Sequence, residues 1–288
     1  MSGNPESDAF SKTIGVAGCG AMGLPMAKAL VGSGFTVSGF DIRPTKEFGD
    51  FASKMVASAD EFCGRVDVLI SVVRDQQQTL DLYFEEQAIF KQPTYPKTCL
   101  LASTVSPRFI EQVAALLPND VSFFDIPMSG APIAAMEKRL SFMIGADEET
   151  AEPVRPLLEA MGRDLHFLGG LGKGMAGKVL NNFVAAACVT AVRQVLNEAE
   201  NLDVAPDQLL QVMKSSSGGT WFGDNFDSIS WSREQYDPAN TIAIVEKDVN
   251  SLLDALQEGQ SDPDALNYIK TIRDRLSALP PAPNRTDS

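Results

Sequence analysis

One histidine and four cysteines in 288 residues leave little with which to build a zinc or iron–sulfur centre. Cys19, Cys63, Cys99 and Cys188 are scattered, with neither metal-site nor disulfide-framework spacing, and that pattern suits a reducing compartment. His166, within the short apolar segment LHFLG, is expected to be structural. Positive charge is also scarce: 24 Lys and Arg face 38 Asp and Glu, a net charge of -14, which argues against nucleic acid and anionic membranes as partners. The longest apolar run, Phe183 to Val192, is too short to span a bilayer. The opening MSGNPESDAFSK is polar and carries no apolar signal core, so a cytoplasmic location is expected. No internal repeat of solenoid length is present.

Hydrophobic residues make up 44% of the chain, enough for a core, and their distribution divides it. Up to about residue 170, short β-branched runs alternate with helical patterns. Strands are expected at 13–18, 36–40, 66–73, 98–102, 121–126, 140–144 and 165–168, with helices at 107–117 and 148–161. The uninterrupted run VDVLISVV reads as a buried parallel strand. Beyond Gly174 only helix signals remain: 175–202, 207–214, 241–256 and 263–276. The expectation is an α/β Rossmann-type doubly wound parallel sheet followed by an all-α C-terminal domain joined by a long helix. Its parts are a flexible N-terminus (1–11), the α/β domain (12–173), the helical domain (174–279) and a disordered tail (280–288).

The first strand runs into G-C-G-A-M-G, and a helical pattern follows. This is the strand–turn–helix context that gives G-x-G-x-x-G its meaning. Gly18 makes the turn, Gly20 lets backbone approach a pyrophosphate, and Gly23 lets the helix pack on the strand. Ala21 and Met22 complete the loop at a helix N-terminus suited to phosphates. Asp41 ends the second strand, where a carboxylate accepts hydrogen bonds from the adenosine ribose hydroxyls. That position favours NAD, with NADP possible because Arg43 follows. Since Ile42 intervenes, Arg43 is expected to lie against the adenine or in solvent. Val73 ends the third strand, and Thr104 and Ser103 follow the fourth, at the edge where ligands bind in such sheets. Ser129, Gly130 and Ala131 follow the fifth, with amides able to hold a carboxylate.

The segment Gly170 to Asn182, GLGKGMAGKVLNN, opens the long helix. Lys178 and Asn182 stand four apart on one helical face, among small and apolar neighbours. A helix start and poor hydration both lower a lysine pKa, which makes the ammonium usable as a proton donor and acceptor. Asp75, Glu85 and Glu86 read as solvated helix surface. Trp221 and Phe222 read as core or as lining of a cleft.

Taken together, G-C-G-A-M-G-L-P-M-A, S-T-V-S-P at 103–107, D-I-P-M-S-G-A-P at 125–132, the lysine–asparagine motif at 170–182 and E-K-D at 246–248 resemble the β-hydroxyacid dehydrogenases. The resemblance covers residues 12 to about 256 in the family's order. It implies a hydride transfer between a nicotinamide cofactor and a small 3-hydroxyacid or its semialdehyde. It further implies Lys178 as the catalytic acid/base, Asn182, Ser129 and Gly130 as substrate contacts, and Thr104 near the nicotinamide ribose. Lys247 is implied as a cofactor contact. A small carboxylate-bearing substrate and a homodimer or homotetramer are expected. Two other readings share this fold, an imine reductase and a non-catalytic dinucleotide-binding scaffold, and Lys178 argues against both. The chain departs from the family pattern at Val72–Asp75, at Ala131 and after Leu256.

Overall fold

A computed structural model describes residues 12–256 and 261–283; the expected flexible segment 1–11 lies outside them. The chain divides into two compact units, Met1–Lys178 and Val179–Ser288.

The first unit is built on six parallel strands: β1 (Ile14–Ala17), β2 (Val37–Phe40), β3 (Met55–Val56), β4 (Val68–Ser71), β5 (Thr98–Leu101) and β6 (Ser122–Asp125). They lie in the order β3-β2-β1-β4-β5-β6, with Val16 opposite Gly39 and Ile70 opposite Leu100. Side chains alternate across a strand, and here the alternation feeds two separate cores. Ile14, Val16, Val68, Ile70 and Leu100 join one cluster, while Ala17, Leu69, Cys99 and Leu101 join the other. Both faces are therefore covered, which is why β1 and β4 are apolar or small throughout and buried along their whole length.

Helices α1 (Gly23–Gly32), α2 (Ala59–Cys63), α3 (Gln76–Tyr83) and α4 (Pro107–Leu116) connect the strands. The start of α4 shows the local logic: the Ser106 hydroxyl accepts from the Arg108 N–H at 3.3 Å, and Pro107 takes the first turn. Asp75, expected to be simply solvated, has a similar role, accepting from the Gln78 N–H at 2.9 Å at the head of α3.

The later expected strands do not extend this sheet. β7 (Met128–Ser129), β8 (Leu140–Ile144) and β9 (Gly162–Phe167) form a second sheet, antiparallel between β7 and β8 and parallel between β8 and β9. A short helix α5 (Pro132–Met136) lies between β7 and β8. The helix expected over 148–161 is broken into α6 (Glu148–Ala151) and α7 (Arg155–Met161), because Pro153 and Pro156 interrupt the hydrogen-bond ladder. His166 sits exposed on β9.

Helix α8 (Lys173–Asn201) carries the chain into the second unit, followed by α9 (Pro206–Lys214), α10 (Trp221–Asp224), α11 (Thr241–Ala255) and α12 (Pro263–Ser277). By length and mean hydropathy α8 would suffice to cross a bilayer, unlike the shorter run judged from sequence. Its Ala186, Val189, Val192 and Leu196, however, pack with Leu210, Phe222, Ile242, Val249 and Ile272 into the core of this unit. Phe222 is buried there, whereas Trp221 is exposed. The fully buried Arg193 donates from Nη1 to the carbonyls of Ser232 (2.7 Å) and Glu234 (2.9 Å), and from Nη2 to that of Pro280. Burial, with Arg233 adding repulsion, pulls its pKa down to about 10. The tail expected to be disordered from 280 is thus held as far as Pro283: the Ala282 N–H donates to Arg233 O, and Arg233 Nη1 donates to Pro283 O, both at 3.1 Å.

Candidate active site

In a parallel sheet every strand ends at the same edge. The first unit therefore lines up the loops after β1, β2, β4, β5 and β6, and with them Gly18–Gly23, Asp41, Val73, Thr104 and Ser129. The glycine loop is explained position by position. Gly18 has φ +85°, and a Cβ there would stand 2.6 Å from the Val72 carbonyl oxygen. Gly23 faces the Gly18 carbonyl, which a Cβ would approach to 2.1 Å. Gly20 is different, since nothing lies within 4 Å of the place its Cβ would take. Two glycines are thus required by the fold, and the third keeps an open approach to the loop. Met22 precedes α1 and offers no side-chain cap, so the first N–H groups of that helix suit an anionic ligand. The buried Ser103 hydroxyl, after β5, has no protein partner. An open glycine cradle, an uncapped helix start and an unpaired buried hydroxyl along one edge fit a dinucleotide.

Asp41 follows β2 as expected, and Arg43 is exposed. Its guanidinium also grips the Asp41 carboxylate with Nε (3.0 Å) and Nη2 (3.1 Å), a contact the sequence does not show. Burial alone would raise the Asp41 carboxyl; the hydrogen bonds from Arg43 overcome it and hold that carboxyl below the usual range.

At the end of β6, Met128 and Ser129 turn into α5 through Gly130, whose φ of +135° and contacts with Leu140 and Ala134 leave no room for a side chain. Ser129 is half-buried, and Gly130 and Ala131 are exposed. Four residues before Ser129 stands a group to which the sequence alone assigns no role. Asp125 is fully buried, and its carboxylate accepts the N–H of Gly172 (2.8 Å) and of Met175 (2.7 Å). Burial pushes its pKa up against these two bonds. The lead-in to α8 is thereby fixed to the end of β6. The glycines of the lead-in have their reason too: Gly172 has φ +81°, and a Cβ on Gly174 would meet Met143 O at 2.5 Å. Lys178 follows on the second turn of α8, 7% exposed. The signal for Asp125 was an acid at the end of the apolar strand segment SFFD.

In the second unit Asn182 and Lys247 are brought together through another acid. Asp248 is buried on α11. One of its oxygens accepts from Asn182 Nδ2 at 2.6 Å, and the other pairs with Lys247 Nζ at 2.8 Å. Asp248 was visible only as the third letter of E-K-D.

Comparison with known proteins agrees with this fold. Residues 13–170 match the model for the NAD binding domain of 6-phosphogluconate dehydrogenase, and residues 172–276 match that for the NAD-binding domain of NADP-dependent 3-hydroxyisobutyrate dehydrogenase. The chain belongs to the β-hydroxyacid dehydrogenase family. A Pseudomonas aeruginosa NAD-dependent L-serine dehydrogenase is 33% identical over 73% of this chain and 72% of its own length. The Bos taurus mitochondrial 3-hydroxyisobutyrate dehydrogenase is 29% identical over 76% of this chain, and the match spans 66% of that longer protein. Among solved structures, a Mycobacterium tuberculosis 3-hydroxyisobutyrate dehydrogenase with L-serine superposes with a TM-score of 0.75 at 28% identity, covering 94% of this chain and 97% of that one. The domains of this family member are NAD(P)-binding domains.

Proposed function

We propose that this chain is an NAD(P)-dependent dehydrogenase of small 3-hydroxyacids or, in the reverse direction, a reductase of their semialdehydes. The observation that carries the proposal is the buried Lys178, presented by a helix whose lead-in is pinned to the edge of the nucleotide-binding sheet by Asp125. When bound, the nicotinamide supplies the hydride acceptor, and the protein supplies position and electrostatics. Lys178 in its amine form accepts the hydroxyl proton as the carbinol C–H leaves as hydride; as an ammonium it returns the proton to the carbonyl oxygen in reduction. Ser129 and the amides of Gly130 and Ala131 hold the substrate carboxylate. Asn182, one turn beyond Lys178 on α8, orients the substrate, with Asp248 fixing its amide. Lys247 contacts the cofactor. L-serine and 3-hydroxyisobutyrate stand first among candidate substrates, since the relatives' names point to them.

We further propose a cytoplasmic homo-oligomer, dimer or tetramer. Leu180, Val184 and Val195 form an exposed apolar stripe on α8 at helical spacing, and a second copy would cover it. A monomer mass by light scattering at micromolar concentration would contradict this.

The activity is tested by initial rates with NAD+ and with NADP+ against L-serine, 3-hydroxyisobutyrate, glycerate, threonate and 4-hydroxybutyrate. Turnover of at least one 3-hydroxyacid supports the reading. No turnover of any, by a protein that binds NADH, overturns it.

A further inference from the structure

The Asp41–Arg43 pair is more than a surface ion pair. Arg43 presents its fork edge: Nε lies 3.0 Å from one carboxylate oxygen and Nη2 lies 3.1 Å from the other. Its backbone N–H adds a third bond to Oδ1 at 3.0 Å. Nη2 also donates to the carbonyl of Cys19 at 3.0 Å, and Cys19 stands between Gly18 and Gly20 of the nucleotide loop. The guanidinium is backed by the Phe48 ring, 4.8 Å from its centroid. The Asp41 side chain is 8% exposed and that of Arg43 is 47% exposed. The acid is therefore the covered partner and the cation the accessible one.

Two consequences follow. A carboxylate offers about four acceptor positions, and Arg43 occupies most of those on Asp41, which leaves a reduced capacity for ribose hydroxyls. A lone Asp41 would repel a 2′-phosphate, but the bidentate guanidinium cancels its charge, and the two N–H groups on Nη1, outside the fork that holds Asp41, remain for a phosphate oxygen. Resting on the nucleotide-binding reading above, we infer that Asp41 and Arg43 act as one neutral recognition unit for the adenosine ribose. The chain then accepts both a 2′-hydroxyl and a 2′-phosphate, and Arg43 is the residue that sets this tolerance. On this inference Asp41 alone does not enforce a preference for NAD.

The test is a fluorescence titration of NADH and of NADPH, without substrate, on the wild-type protein and on Arg43→Ala, Arg43→Lys and Asp41→Asn. Wild-type dissociation constants are expected to lie within about tenfold of each other, with NADPH binding falling more steeply with added salt. Arg43→Ala exposes the Asp41 charge and removes the cation. It should weaken NADPH by about a hundredfold and NADH by no more than about threefold. Arg43→Lys keeps the charge without the fork and should fall between, which keeps the test decisive if the alanine variant folds poorly. Asp41→Asn should tighten NADPH and weaken NADH. Wild-type binding of NADH a hundredfold tighter than NADPH would overturn the proposal. So would equal weakening of both cofactors in Arg43→Ala, because Arg43 would then only brace the glycine loop. Binding of neither cofactor by the wild type would instead overturn the nucleotide-binding reading on which the proposal rests.

Discussion

Removing the Asp125 side chain tests how the start of α8 is held. In Asp125→Ala the N–H groups of Gly172 and Met175 lose their acceptor at a fully buried position. Each orphaned donor costs about 1–3 kcal/mol, and the small void left behind adds a little more. A loss of about 3–5 kcal/mol in the unfolding free energy is expected, measured by urea denaturation at pH 7. Asp125→Asn separates charge from shape. It keeps one acceptor but turns an NH2 toward the second N–H, while relieving the burial of a charge. Burial already outweighs those two bonds, since the carboxyl sits above its usual range. The two effects oppose each other, so stability should change by less than about 2 kcal/mol. Activity should not be spared. A shift of the α8 start misplaces Lys178, and a misplacement of about 1 Å costs roughly a hundredfold in rate. The pH dependence has a definite sign. A carboxyl raised in the folded state contributes most stability below its unfolded pKa and loses that contribution as pH rises through the folded value. Asp125→Asn should therefore remove a decline in stability with rising pH that begins near the ordinary carboxylate range. A loss below 1 kcal/mol in Asp125→Ala, or full turnover in Asp125→Asn, would refute the reasoning.

Three further outcomes follow from particular contacts. Gly20→Ala, placed in open space, should leave the melting temperature unchanged and weaken NADH at least about tenfold. Gly23→Ala, driven against the Gly18 carbonyl, should lose about 1–3 kcal/mol of stability as well; equal melting temperatures for the two variants would contradict the assignment. Arg193→Met keeps the bulk but leaves the Ser232, Glu234 and Pro280 carbonyls without their donor, and should cost about 3 kcal/mol or more in denaturant unfolding. Asp248→Ala releases both Asn182 and Lys247 and should cut kcat/KM at least about tenfold, with kinetics no different from wild type counting against its role.

Much of this was legible in the sequence for a physical reason. Buried parallel strands and amphipathic helices impose periods that survive in one chain, so β1, β2, β4, β5 and β6 and the helices α8, α9, α11 and α12 stand where the pattern puts them, to within a few residues. The glycine loop was legible because steric demand at Gly18 and Gly23 is local. Pairing between distant segments was not. Nothing in LSFMI or LHFL says that these strands leave the six-stranded sheet to join Met128–Ser129. Charge partners were equally hidden. Arg43 is two residues from Asp41, yet only the folded turn shows its fork closing on that acid. Asp125 and Asp248 became meaningful only when backbone 47 and 50 residues away, and a side chain 66 residues away, came into reach. The held segment Pro280–Pro283 reads as a solvent tail because its anchors, Arg193 and Arg233, are remote.

The most direct test of the central claim is the turnover number of Lys178→Ala on a 3-hydroxyacid that the wild type oxidises, measured with NADH affinity on the same preparation. Loss of the proton acceptor should lower kcat by about a hundredfold or more, equivalent to about 2.7 kcal/mol in the barrier, while the NADH dissociation constant stays within about twofold. Wild-type turnover in that variant would contradict the assignment of Lys178 and the mechanism built on it.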